Sequence, residues 1–308
     1  MNITKKLFNY IILKFEPFIW TVIKNHPSTY LNGNNQLFIN YERFFLISKF
    51  FFKNLIKKNN KVLDVGIYPG TTVKLLQELS NHFKFKNSFD GLGIGFDSQF
   101  KNEMKKIDVN LYEFDLENLN DQFKKIPKLK SDNYDFIILT DVIEHLQNPY
   151  IILGELYRLL KKNGKLMIST DNVSRFDHLI SLLKGRSTYV PLLESNMFYS
   201  GDWRPHFREY DKMELIKLGT WNGFKLIEHK YYESYFGTYF KIGNKLIKRK
   251  KISLYHFVKK IFIKTNHKFM DNQILILEKV ELSKNFSKPN HTSDDLKWNE
   301  TRKKFKIY

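Results

Sequence analysis

The stretch VLDVGIYPGTT, residues 62–72, decides the fold because it joins an apolar strand to a helix through two glycines. Gly66 and Gly70 let the backbone adopt positive φ angles and come close to a ligand. The amides at the start of the helix face the same crevice. Asp64, at the end of the strand, would repel a diphosphate but attract a cation. The stretch therefore favours a sulfonium amino acid over a dinucleotide as its ligand.

Short apolar runs alternate with helical segments along the rest of the chain. Strands are predicted at residues 61–66, 91–97, 108–115, 134–140, 165–170, 223–232 and 272–280. Helices are predicted at residues 3–24, 41–55, 71–83, 150–162 and 211–220. The helix at 150–162 is expected to stop at Asn163-Gly164, where the glycine suits a left-handed cap. This spacing predicts βαβ units and a parallel sheet that binds ligands at the carboxyl ends of its strands.

A glycine-rich run, GLGIG at residues 91–95, raises the alternative of a dinucleotide-binding dehydrogenase. The run lies within the second predicted strand instead of at a strand-to-helix turn, which argues against that alternative. Asp97 is expected to end this strand and to accept hydrogen bonds from both hydroxyls of a ribose. Asp115 is expected to end the third strand and to accept from an adenine amino group. Each aspartate alone can instead cap a turn, but aspartates at three successive strand ends predict a site.

The segment YDFIILTDVIEHLQNP, residues 134–149, is an apolar strand that ends in charged residues. If a helical turn follows, Asp141, Glu144 and His145 share one face. One reading is general-base catalysis, with His145 taking a hydroxyl proton while a carboxylate orients the ring. A second is a divalent metal held by the carboxylates and imidazole, and a third is structural capping. His206 is a further candidate catalytic residue, expected on the same side of the fold.

These motifs, in this order, resemble those of class I S-adenosylmethionine-dependent methyltransferases over residues 45–280. The segments that carry the resemblance are DVGIYPG, FDSQF, YEFDLEN, YDFIILTDVIEHLQNP and LYRLLKKNGKLMIST. It implies a Rossmann-like α/β sheet of order 3-2-1-4-5-7-6 with strand 7 antiparallel. It also implies S-adenosyl-L-methionine as cofactor, bound by Asp64, Gly66, Tyr68, Gly70, Asp97, Asp115, Leu116 and Asp141. The Tyr68-Pro69 pair is similar to that of bacterial methyltransferases of surface-polysaccharide and glycolipid synthesis.

A second resemblance concerns a metal. DVIEH and PHFREYDKMEL are similar to the metal-binding pattern of small-RNA 2′-O-methyltransferases and ubiquinone-pathway O-methyltransferases. By position it implies four ligands, namely Asp141, Glu144, His145 and His206. The first ligand of those families is typically glutamate, one methylene longer than Asp141. Arg204 and Arg208 flank His206 and are predicted to bind a phosphate or carboxylate of the acceptor, or else to brace the surface.

Composition excludes some classes of function. The chain has no cysteine, which rules out disulfides and thiolate sites, and no stretch is long and apolar enough for a membrane span. Its net charge of +19 permits an anionic partner, although lysine-rich coding bias would give the same excess. The expected location is the cytoplasm, with peripheral contact at the inner face of the plasma membrane as an option.

The expected organisation is a helical extension (1–44), a catalytic domain (45–280) and a polar tail (281–308). Within the domain we predict a substrate-side lid at 173–210 and a basic insert at 239–268. In the insert, one helix face is predicted to carry Leu254, Val258, Ile261 and Phe262, and another to carry Lys259, Lys260 and Lys264. Such a helix suits an anionic membrane surface. The alternatives are packing on the domain with solvated lysines, or RNA binding.

Together these features predict an O-methyltransferase that acts on a sugar or lipid-linked glycan hydroxyl in bacterial surface-polymer synthesis. His145, assisted by Glu144 or a metal, would take the proton. One alternative is a metal-dependent RNA 2′-O-methyltransferase. Another is a non-catalytic protein that binds the cofactor or docks on a membrane.

Overall fold

A computed structural model describes residues 3–19, 41–55, 59–119, 125–189, 204, 206–233, 239–242, 245–248 and 254–280. Its helices are α1 Lys5–Ile19, α2 Tyr41–Asn54, α3 Thr71–His82, α4 Ser98–Lys106, α5 Pro149–Leu159, α6 Phe176–Leu183, α7 Lys212–Trp221 and α8 Leu254–Thr265. Its strands are β1 Lys61–Val65, β2 Ser88–Gly93, β3 Asn110–Glu113, β4 Tyr134–Thr140, β5 Leu160–Asp171, β6 Phe224–Tyr232, β7 Tyr239–Ile242, β8 Lys245–Lys248 and β9 Asn272–Lys279. Short 3-10 turns cover Leu116–Asn118, Ile143–His145 and His267–Phe269.

Seven strands form one sheet in the order β3-β2-β1-β4-β5-β9-β6. The strands from β3 across to β5 pair in parallel, whereas β9 pairs antiparallel with both β5 and β6. This confirms the predicted Rossmann-like class I methyltransferase sheet, including the insertion of the last strand between β5 and β6. The carboxyl ends of β1, β2, β3, β4 and β5 consequently meet at one edge.

Apolar side chains cover both faces of the sheet, which explains why all of β4 is buried. One face packs against α1, α2, α3 and α4 through an aromatic-rich core. In that core Phe51 of α2 meets Phe89 and Phe136 from two strands. The other face packs against α5 and α7. The expected boundary at residue 44 falls within α2, whose buried residues begin at Tyr41.

The second strand differs from the prediction, which was wrong to end it at Asp97. The strand ends at Gly93, and Asp97 instead caps α4 by accepting a hydrogen bond from the Phe100 amide at 2.7 Å. The glycines of this strand are required by packing, because a Cβ at Gly91 would lie 2.3 Å from Cδ1 of Ile67.

The end of α5 was also predicted wrongly. The helix stops at Leu159, and β5 begins at Leu160, so that Asn163-Gly164 lies within a strand. The positive φ belongs to Asn163, not to the glycine. Leu160 already pairs with β4, and its register shifts before Lys165. This long-range pairing, not local propensity, ends the helix.

Residues 190–203 and 205 of the predicted lid, and the whole polar tail, lie outside the described residues. The basic insert contains the hairpin β7–β8 and then α8. No helix in the described part of the chain is long and apolar enough to cross a membrane.

Candidate functional site

The turn after β1 forms the floor of a crevice at the carboxyl edge of the sheet. Gly66 (φ +77°) and Gly70 (φ +84°) both adopt the left-handed conformation expected of them. A Cβ on Gly66 would lie 2.4 Å from Cγ2 of Val142, in the segment that follows β4. The turn is therefore closely packed, and its second glycine precedes the amino end of α3.

Asp64, at the end of β1, is 2% exposed. Burial raises the pKa of its carboxyl to about 7, although the nearby Arg43 guanidinium opposes the rise. A cationic ligand would stabilise a buried carboxylate of this kind, and binding such a ligand is the role that the sequence analysis predicts for Asp64.

Two buried polar atoms near this crevice support a bound cofactor. Among the residues that the structure describes, the Thr71 hydroxyl at the start of α3 and Nε of Arg43 have no hydrogen-bond partner. Buried polar groups are normally paired, so both atoms are available to a ligand. Together with Asp64 and the left-handed glycines, they fit S-adenosyl-L-methionine, which carries a cationic centre and an amino acid group.

The predicted ribose and adenine residues lie beyond this turn. The carboxylate of Asp97 caps α4 and also binds the Tyr68 hydroxyl; burial and the Asp97 charge raise the pKa of Tyr68 to about 12. Leu116 is buried directly after Asp115. Arg204 forms a two-pronged ion pair with Asp115, with Nη1 2.9 Å from Oδ1. Arg204, which was predicted to bind the acceptor, thus contacts Asp115, which was predicted to bind adenine.

Asp141 connects the end of β4 to the N-terminal region. It has a φ of +53°, and its carboxylate accepts hydrogen bonds from Arg43 of α2 and, at 2.9 Å, from the Ser169 hydroxyl. Arg43 was not predicted, since it lies 98 residues earlier in the chain. The scarcity of arginine in this sequence was the one available signal.

Glu144 is buried in the 3-10 turn that follows. Its carboxylate accepts a hydrogen bond from the Thr170 hydroxyl at 2.9 Å, and its backbone carbonyl accepts from the amides of Phe207 and Arg208. Burial, together with the charges of Asp141 and Asp171, holds the pKa of Glu144 well above its usual range. Glu144 therefore fastens the segment that carries His206 onto the end of β4.

Because Glu144 holds this segment at the end of β4, the imidazoles of His145 and His206 are in contact. The rings of His145 and His206 meet edge to face, with centroids 4.8 Å apart. Nδ1 of His206 lies 3.4 Å from Glu209 and 3.6 Å from Asp171. Burial favours the neutral ring, but the hydrogen bond to Glu209 and the two carboxylate charges outweigh it and raise the pKa of His206.

Three residues around this pair were missed by the sequence analysis. Arg175 binds Glu209 through both of its terminal nitrogens, and it lies 3.8 Å from Asp171. Burial raises the pKa of Asp171 to about 6, with Arg175 opposing the rise. The residues lie in separate segments that the sheet brings together, so spacing along the chain gave no signal.

The structure brings together only part of the predicted metal site. Within the described residues, ligand atoms of Glu144, His145 and His206 lie within 4.8 Å of one another, as do those of Asp171, His206 and Glu209. Asp141 belongs to neither group, and its carboxylate is bound by Arg43 and Ser169.

Arg208, predicted to bind the acceptor with Arg204, points away from the site. Its guanidinium pairs with Glu214 on the surface, and 60% of its side chain is exposed. The substrate role of Arg208 stays a prediction without a supporting contact.

Solved structures with similar folds are methyltransferases from diverse organisms. One is a 1,6-didemethyltoxoflavin-N1-methyltransferase of Burkholderia thailandensis bound to S-adenosylhomocysteine (9% identity, 91% of this chain and 92% of that chain, TM-score 0.48). Another is a SAM-dependent methyltransferase of Aquifex aeolicus (16% identity, 85% and 98%, TM-score 0.45). A third is a SAM-dependent methyltransferase of Archaeoglobus fulgidus (14% identity, 82% and 100%, TM-score 0.45). The comparison with curated proteins found no match.

A family model described as a methyltransferase domain matches residues 38–229, which is more than half of the chain. The match spans the glycine turn, the ends of β2, β3 and β4, and the imidazole pair. The chain belongs to the methyltransferase domain family and is an S-adenosylmethionine-dependent methyltransferase.

Proposed function

We propose that the protein methylates a hydroxyl group and that His206, packed against His145, takes the proton. The observation that carries this proposal is the carboxylate-backed imidazole, His206 on Glu209, packed against a second imidazole at the end of β4. An imidazole held in one orientation by a carboxylate is well suited to general-base catalysis.

Methyl transfer to a hydroxyl requires residues that bind the cofactor and a group that accepts the proton of the hydroxyl. When bound, S-adenosyl-L-methionine supplies an electrophilic methyl group on a sulfonium. Methylation of a hydroxyl forms a carbon–oxygen bond as the carbon–sulfur bond breaks, and the hydroxyl loses its proton. A neutral imidazole with a free ring nitrogen can accept that proton. Asp64 offers its carboxylate to the positive charge of the cofactor. The turn at Gly66 and Gly70 would hold the cofactor in place, and fixing the reactants in a productive geometry contributes much of the rate.

We assign the base to His206, with His145 packed against it, and Glu209 to positioning. Nδ1 of His206 faces Glu209, which leaves Nε2 for the substrate. Glu144 is a positioning residue as well, because its carboxyl is buried on Thr170 and its carbonyl anchors the His206 segment.

The proposed acceptor is a sugar or lipid-linked glycan hydroxyl in bacterial surface-polymer synthesis. Two features support it. Phe207, next to His206, is 54% exposed and offers a ring on which a sugar can stack. The Tyr68-Pro69 turn is similar to that of methyltransferases of surface-polysaccharide and glycolipid synthesis, as noted above.

A second candidate is metal-dependent 2′-O-methylation of RNA, which the grouping of Glu144, His145 and His206 favours. These residues would hold a divalent ion that lowers the pKa of the acceptor hydroxyl. Ligation would require an ionised Glu144 carboxyl, and that carboxyl already accepts a hydrogen bond from the Thr170 hydroxyl.

The test is transfer of labelled methyl from S-adenosylmethionine into fractionated bacterial extract, with and without EDTA. Label in the lipid or glycan fraction that survives EDTA supports the proposal. Label in RNA that disappears with EDTA would replace it by the second candidate.

A further inference from the structure

The helix α8 has its charged and apolar faces reversed with respect to the sequence prediction. Lys259, expected in solvent, is 3% exposed, whereas Leu254, Val258 and Ile261 are 79%, 43% and 50% exposed. Phe257 is also 63% exposed, so residues at helical spacings of three and four form one outward apolar stripe. Only Phe262 of the predicted apolar face turns inward.

Lys259 holds the helix in this orientation. Its ammonium lies 2.5 Å from Asp271, 3.5 Å from Asp177 and 3.6 Å from Glu233. Asp271 directly precedes β9, Asp177 belongs to α6, and Glu233 directly follows β6. Burial and the neighbouring Asp271 raise the pKa of Glu233 to about 8.

Aromatic packing reinforces the same orientation. Phe262 lies against Phe176 of α6 and Phe269 of the following turn, with ring centroids 5.2 Å and 4.9 Å apart. A helix rolled to bury its apolar stripe would break these contacts and leave Lys259 without its carboxylates. The outward stripe is therefore a stable feature of the fold, not a consequence of a loosely attached helix.

We propose that this stripe, formed by Leu254, Phe257, Val258 and Ile261, docks the enzyme on an anionic lipid bilayer. Lys260 and Lys264 are exposed on the same helix, where they can reach acidic headgroups beside the inserted apolar side chains.

A second copy of the chain is a poorer occupant of this surface. From the exposed fractions of its four side chains, the stripe exposes on the order of 400 Å², about half of the roughly 800 Å² that each partner gives to a standard interface. Symmetric pairing would also bring the lysines of two copies together, and the chain already has a net charge of +19. An anionic bilayer does not depend on a large protein interface, and its headgroups attract the lysines.

This inference is independent of the acceptor and of the catalytic residues, because vesicle binding needs no turnover. The test is flotation of the full chain with phosphatidylcholine vesicles, with and without 30% phosphatidylglycerol (roughly the anionic content of an acidic leaflet). We expect binding to the acidic vesicles alone, reduced at high salt. F257E/I261E should lose about tenfold or more of this binding, and K260E/K264E roughly thirtyfold.

Matched controls use equally exposed residues elsewhere. M213E, on α7, and K125E/K130E, in the segment before β4, should bind as the unsubstituted chain does. All variants should keep their melting temperature and S-adenosylmethionine affinity. Because the chain has four tryptophans of its own, emission is compared with that of the unsubstituted chain, and F257W should show an additional blue shift on acidic vesicles.

Either of two results would overturn the proposal. One is undiminished vesicle binding by F257E/I261E, which would assign binding to charge elsewhere in the chain. The other is absence of vesicle binding together with a dimer that dissociates in F257E/I261E, which would assign the stripe to a second copy.

Discussion

Replacing Asp64 by asparagine should weaken cofactor binding and at the same time stabilise the free protein. The side chain is nearly isosteric, so the substitution mainly removes a buried negative charge. The pKa of Asp64 rises from an ordinary value of 3.8 to about 7 in the fold. Each tenfold change in acidity is worth about 1.4 kcal/mol, so the ionised carboxyl costs the folded state at most about 4 kcal/mol.

The sign of this effect depends on pH. Because the pKa is higher in the folded state than in the unfolded state, the cost is present in full above pH 7 and disappears towards pH 3.8. The free D64N protein should therefore be more stable than the unsubstituted protein by up to about 4 kcal/mol at pH 8 and by roughly 2 kcal/mol at pH 5. Urea unfolding at both pH values measures this difference.

Cofactor affinity should change in the opposite direction. Loss of a charge-assisted contact costs about 1.5–3 kcal/mol, or roughly 10- to 150-fold in Kd. The affinity of the unsubstituted protein should fall as pH drops below 7, whereas that of D64N should not. Titration calorimetry with S-adenosylmethionine tests both statements.

D90N is the matched control, because Asp90 is a buried aspartate of the neighbouring strand that already binds Tyr134 and Asn110. It should lose stability and keep cofactor affinity. If D64N bound the cofactor as tightly as the unsubstituted protein did, and was no more stable at pH 8, the assigned role of Asp64 would be wrong.

Three further substitutions test other parts of the site. G66A should cost about 1–3 kcal/mol of stability through its positive φ and its clash with Val142, and V142A in the same chain should recover part of that loss. E209Q should shift the rise of the transfer rate with pH to lower pH, because Glu209 raises the pKa of His206 and the neutral ring is the active form. K259M should cost about 3–5 kcal/mol, because it leaves the carboxylates of Asp271 and Glu233 without their cation; chemical unfolding measures the loss.

Each of these substitutions has a control. Gly185 has a φ of +66° with no atom within 4 Å of an added Cβ, so G185A should cost only backbone strain and leave cofactor binding unchanged. E228Q, at a carboxylate paired with Lys53, should leave the pH profile in place. K260M, beside Lys259 but exposed, should change stability by less than about 0.5 kcal/mol. A variant indistinguishable from its control would contradict the corresponding assignment.

The sheet and the cofactor turn could be predicted from the sequence because local patterns of residues indicate both. The run at 134–140 is buried throughout, and the glycines at 66 and 70 have the backbone conformation that the turn requires. The limits of β2 and β5 were misjudged because cross-strand pairing and the packing of Ile67 on Gly91, not propensity, set them.

The proposed catalytic region was only partly predictable for the same reason. His145 and His206 could be named, but Glu209 and Arg175 join them only through the folded chain. Arg43 and Asp141 meet across 98 residues, a contact that no spacing rule reveals. The reversed orientation of α8 depends on carboxylates from three other elements, so its sequence alone suggested the opposite exposure.

The most direct test of the account measures cofactor affinity and methyl transfer together in H206N and H145N, with EDTA present throughout. The acceptor is the fraction that takes label from the unsubstituted enzyme. We predict that both variants bind S-adenosylmethionine normally, and that H206N loses about 100-fold or more in transfer rate, as expected for loss of a general base. Transfer by H206N at the rate of the unsubstituted enzyme would contradict the assignment of this imidazole as the proton acceptor.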